Sequence, residues 1–137
     1  MHPLVEKLEK RLLPEFEKIA EKIRREIPNV SVRVYSSEVG SLTQYQGHGF
    51  YIDCLLTADY ADNGNVGLDV SLGYLTTTPR ICAAVGWNHP SGHSEIGFPE
   101  NRSERFPDEG VTASDAVLED LYKNLPRLYG ALFRALK

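Results

Sequence analysis

The chain has 137 residues, 42% of them hydrophobic and 25% charged, with a net charge of −4 and a pI near 5.5. That length suits one domain able to bury a core without disulfides or metal, and the acidic balance argues against non-specific nucleic-acid binding, which needs a basic surface to neutralise phosphates. Cys54 and Cys82 are too few for a disulfide scaffold or a zinc site, no apolar run reaches transmembrane length, and the early glutamates and lysines do not read as a signal peptide.

Cytoplasmic residence with no membrane association follows as the expectation. A basic protein partner would suit the net charge better than nucleic acid.

An amphipathic helix is predicted from about Pro3 to Ile27. Leu4, Leu8, Leu12, Phe16, Ile19, Ile23 and Ile27 fall three or four apart, and Leu13 and Ala20 widen the stripe. Glu6–Lys10 and Glu21–Arg25 stand in the favourable i,i+4 order. Pro3 suits a helix start. Pro14 removes the bond to the Lys10 carbonyl and predicts a kink or break near Leu13. Ile27-Pro28-Asn29 ends the element.

The hydrophobic period then drops to 2. Val30 to Ser36 alternates with Val30, Val32 and Val34 on one side and Ser31, Arg33 and Tyr35 on the other. A second strand, about Gly49 to Thr57, turns Phe50, Ile52, Cys54 and Leu56 inward and Tyr51, Asp53 and Leu55 outward. Residues 59–65, with Asp62-Asn63-Gly64, read as a turn. Val66 to Tyr74 and Arg80 to Asn88 complete four strands. Their inward sets are Val66, Leu68, Val70, Leu72 and Tyr74, then Ile81, Ala83, Val85 and Trp87.

His89-Pro90-Ser91-Gly92 has a type I turn pattern and predicts a short fifth strand over His93–Phe98. Pro99 to Gly110, charged and rich in proline, reads as a long loop. A second amphipathic helix is predicted from Ser114 to Leu136. Val117, Leu118, Leu121, Leu125, Leu128, Leu132, Phe133 and Leu136 line one side, Ser114 is its N-cap and Thr112 the alternative. Pro126 repeats the Leu-Pro step of the first helix.

These elements predict an α+β fold, order α-β-β-β-β-(β)-α. A mainly antiparallel sheet of four to five strands carries both terminal helices on one face. Function is then expected on the other face. The outward residues of the third and fourth strands are Gly67, Asp69, Ser71, Gly73, Cys82, Ala84 and Gly86, a floor of small side chains where a solvated sheet would carry longer ones. Tyr35, Tyr51, Asp53, Arg80, His93, Glu95 and Arg33 form its rim. Tyrosine and arginine at the edge of a depression match the composition of binding surfaces. Bulges, sheet coiling or a second copy packed on the face explain the glycines more directly than a ligand or foreign protein does, and a second copy would still make the face an interface.

No catalytic motif stands out. His89, His93 and Glu95 cluster around a turn but lack a fourth ligand, so no metal is expected. Asp53 and Asp69 share a face and could act as a carboxylate pair, although surface ion pairs with Arg33 or Arg80 explain them as well. Asp59, Asp62 and Asn63 lack the spacing of a calcium loop. Gln46-Gly47-His48-Gly49 precedes a strand where a phosphate loop would precede a helix. Cys82 has no base beside it to activate a thiolate.

The expectation is a binding protein without catalysis or cofactor, of inhibitor, immunity or adaptor type, acting through the open face and the 99–110 loop. Its partner is another protein or a second copy. An enzyme or small-ligand binder using Asp53, Asp69, Arg80, His93 and Glu95 is the alternative.

Overall fold

A computed structural model describes residues 3–39, 49–60, 64–75, 78–88 and 103–136. The elements are α1 (Pro3–Glu26), β1 (Val30–Val39), β2 (Gly49–Tyr60), β3 (Asn65–Leu75), β4 (Thr78–Asn88), β5 (Glu104–Thr112) and α2 (Asp115–Leu136). The five strands form one antiparallel sheet in chain order, β1 and β5 at its edges. This is the predicted α+β plan.

Both helices lie on one face, α1 over β1 and β2, α2 over β3, β4 and β5. Five antiparallel strands between them make the helices run parallel. Their contacts advance together along the seam. Lys7 pairs with Asp115 at 2.7 Å, Arg11 with Glu119 at 2.9 Å, and Phe16 meets Tyr129 edge to face with centroids 6.4 Å apart.

The core lies between the layers. Leu8, Leu12, Phe16 and Ile23 of α1, Leu56, Leu68, Leu72 and Ile81 of the sheet, and Leu121, Leu128 and Leu132 of α2 are fully buried. Each such side chain contributes about 1.5–3 kcal/mol of burial free energy. Trp87 packs partly buried at the core's margin.

Helix ends follow the predicted chemistry. The Val117 N–H donates to Ser114 Oγ at 3.3 Å and the Leu118 N–H to the Ser114 carbonyl at 2.9 Å, so Ser114 caps α2. Asn29 takes φ 65° after α1, a left-handed turn that asparagine tolerates better than most residues.

Three expectations are corrected and one is narrowed. Of the kink or break expected at the prolines, the break does not occur: α1 and α2 each run continuously through Pro14 and Pro126. Both prolines are exposed, so water can satisfy a carbonyl left without its amide partner. The 99–110 loop is not a loop from Glu104 onward. Glu104–Thr112 is an edge strand, and residues 107–110 stand opposite Cys82 alone, between the Ala83–Phe106 and Ile81–Val111 pairs. An edge position with a bulge accommodates Pro107.

Asp59 belongs to β2, opposite Ser31, not to a turn. Glu21 pairs with Arg24 at 2.7 Å, in place of the expected partner Arg25. Arg24 is drawn toward the sheet, where its other nitrogen reaches the Val32 carbonyl. The His89–Gly92 turn, the His93–Phe98 strand and Gln46-Gly47-His48 lie outside the described residues.

Candidate functional site

The face of the sheet away from the helices is ordered into rows by strand register. One row runs Arg33, Thr57, Gly67, Gly86. The next runs Tyr35, Leu55, Asp69, Ala84, Arg105, and a third Ser37, Asp53, Ser71, Cys82. A fourth joins Val39, Tyr51, Gly73, Arg80 and Thr112. Period-2 alternation puts these positions on one side because the inward residues between them are the buried core.

The floor is half-buried throughout. Gly67, Asp69, Ser71, Gly73, Cys82, Ala84 and Gly86 are neither fully covered nor fully exposed. Both terminal helices lie on the opposite face, so they do not cover it. Thr57 is buried at 7%, between Arg33 and Gly67 in its row.

Two glycines of the floor have different reasons for being glycine. A Cβ on Gly67 would stand 3.1 Å from the Leu56 carbonyl oxygen, so the sheet itself requires a small residue there. A Cβ on Gly86 would meet only Ser103 Oγ, at an ordinary 3.8 Å. Backbone packing accounts for the first and not for the second.

The polar groups are organised at one corner and at mid-floor. Arg33 grips Asp59 with Nε at 2.8 Å and Nη2 at 3.2 Å, and its guanidinium lies 5.4 Å from the Tyr35 ring centroid. The hydrogen bond from Arg33 to Asp59, with their opposite charges, raises the guanidinium pKa still further above its ordinary value. At mid-floor Ser71 Oγ donates to Asp69 Oδ1 at 3.1 Å. Arg80 Nη1 makes a long contact of 3.4 Å to the Gly110 carbonyl.

Of the residues expected to form the site, Tyr35 is exposed at 38%, Asp69 is half-buried and Arg80 is exposed. Tyr51 and Asp53 hold register positions opposite Gly73 and Ser71. His93 and Glu95 lie outside the described residues. Arg105 shares the second row, and Asp59 joins the site through Arg33 from the neighbouring row of Ser31 and Asn65; neither is among the expected site residues. The Asp-Asn-Gly signal after Asp59 implies an earlier end to β2, and the bulge in β5 leaves that segment without a strand period.

Cys82 is a free thiol on the floor. Among the described residues no three His, Cys, Asp or Glu side chains stand together to hold a metal, and no helix is long and apolar enough to cross a membrane. The chain matches no protein-family model, no curated protein and no solved structure.

Proposed function

We propose that the chain is a non-catalytic cytoplasmic binding protein, of inhibitor, immunity or adaptor type, that receives another protein on the open face of its sheet. The observation that carries this reading is the floor of small, half-buried side chains from Gly67 to Gly86, left uncovered by the chain's own helices. Exposed Arg33, Tyr35, Arg80 and Arg105 stand around it, and aromatic and arginine side chains are enriched where proteins meet. β5 adds Arg105 to this surface, in the part that a loop was expected to play.

The partner is a protein and not nucleic acid, because among the described residues Asp59 and Asp69 stand between the arginines of this face, which form no basic stripe, and the chain is acidic overall. The test is retention of a partner from the native host by the wild type and its loss in Gly86→Arg, a substitution at a position where the backbone has room.

The second reading, a small-ligand site or enzyme, draws on the Ser71–Asp69 hydrogen bond at the centre of the floor, with Asp53 in register beside Ser71. A thermal-shift screen of common metals and nucleotides separates the two. A ligand that raises the melting temperature, with no protein retained, favours the second.

A further inference from the structure

The two edges of the sheet are finished differently. In an antiparallel ladder the N–H and C=O of one residue point to the same side, and successive residues alternate. One bond fixes the phase: the Ala113 N–H donates to the Pro79 carbonyl at 2.8 Å. Odd residues of β4 therefore face β5. Carried through the unbroken registers, this turns the odd residues of β1 toward β2 and its even residues outward. An independent bond agrees, since Arg24 Nη2 reaches the Val32 carbonyl at 3.0 Å.

The β5 edge is closed. The Arg105 carbonyl accepts from Arg127 Nη2 at 3.1 Å, and Arg127 is itself held by Glu104. Pro107 has no N–H to offer, and the ladder is interrupted beside it. These are devices that discourage strand addition.

The β1 edge has one such guard, Arg24 on Val32. Beyond it the outward backbone groups of Val34, Ser36 and Glu38 have no partner among the described residues. The strand carries no proline or lysine, and its register with β2 is regular over all ten residues. Tyr35, beside this edge, is the one exposed large hydrophobic side chain among the described residues.

We infer that this edge pairs with the same edge of a second copy. Two β1 strands related by a two-fold axis normal to the sheet run antiparallel and keep both open faces on one side, joining them into a surface of double width. Paired residues must then share a face, which restricts the axis to few positions. An axis at Arg33 sets two arginines opposite each other. An axis at Val34 or Tyr35 pairs Val32 across the edge and expels Arg24 from its carbonyl. An axis at Ser36 avoids both, and it pairs three outward residues of β1 where an axis at Ser37 pairs two.

With the axis at Ser36, Ser36 meets Ser36, and Val34 meets Glu38 of the second copy. Three hydrogen-bonded pairs form, with about six backbone bonds. Tyr35 comes opposite Ser37, and Arg24 stands one step along the edge from the second copy's Glu38, its opposite charge. This self-complementarity is what favours a copy over a foreign strand. The inference is independent of the open-face proposal.

The test is molecular mass in solution for the wild type, Ser36→Asp and Ser36→Lys. The wild type is expected at two chains. Each variant places like charges across the axis and is expected at one chain, with dimer affinity at least tenfold weaker and melting of the single chain intact, since Ser36 is exposed. An equimolar mixture of the two variants is expected to restore the dimer. A wild type of one chain at high concentration overturns the inference, and so does a dimer indifferent to both substitutions.

Discussion

A Cβ on Gly67 would stand 3.1 Å from the carbonyl oxygen of Leu56. The phase of the ladder turns that carbonyl toward β3, where its pairing with Leu68 resists the shift of a few tenths of an ångström that a Cβ would demand. Gly67→Ala is therefore expected to destabilise by about 1–3 kcal/mol, the usual cost of overpacking. Gly86→Ala meets only ordinary contact and is expected to be neutral or stabilising by about 0.4–1 kcal/mol, through a less flexible unfolded chain. Urea unfolding of both variants checks the contrast.

Tyr129 carries a buried hydroxyl with no hydrogen-bond partner among the described residues, at the seam where its ring meets Phe16. An unsatisfied buried hydroxyl costs about 1–3 kcal/mol, so Tyr129→Phe is expected to stabilise by about 1 kcal/mol. Burial, with a smaller effect from Glu15, pushes this phenol well above its ordinary value. The sign follows: the unfolded chain ionises first, so stability holds below pH 10 or so and falls as pH rises beyond it. Tyr129→Phe should remove part of that alkaline loss in unfolding measured between neutral and strongly alkaline pH.

Glu104 joins β5 to α2 through Arg127 and Arg134, the latter at 3.3 Å. Its position opposite Val85 places it in an inward row, where the two arginines meet it at the layer's edge. Glu104→Gln is expected to cost about 1 kcal/mol, since the arginines remain partly solvated. Amide exchange should quicken in β5 before the rest of the sheet, because the outer strand loses its anchor.

The Glu6 carboxyl is held below the usual carboxylate value, first by the hydrogen bond from Lys10 and then by its charge. Its stabilising contribution is present above the unfolded value and is lost as pH falls through the folded one. Carboxyl NMR titration of Lys10→Met should show Glu6 returning toward its ordinary value.

The helices and β1–β4 were legible because their apolar residues recur without interruption. Leu8, Leu12 and Phe16 repeat at helical spacing and Val66, Leu68 and Val70 alternate, all buried. β5 was not legible because its bulge separates the inward positions Phe106 and Val111 by four residues on which no period 2 can be seen. Glu104, a charged residue in an inward row, hides the pattern further. Pro14 and Pro126 suggest a kink or break because each removes one backbone bond, but both stand on the water-facing side and the helices run on through them. On the floor, one-residue alternation placed Asp69, Cys82 and Gly86 on the open side. The same alternation says nothing of Arg33's choice of Asp59, which depends on register between strands.

The most direct test of the open-face proposal compares what wild type, Gly86→Arg and Lys123→Glu retain from the native host. Gly86→Arg fills the floor, whereas Lys123 is exposed on α2, in the opposite layer. At matched melting temperatures, a specific protein is expected to bind the wild type and Lys123→Glu and to be depleted at least tenfold on Gly86→Arg. Equal retention by Gly86→Arg would contradict the proposal, as would the absence of any retained protein.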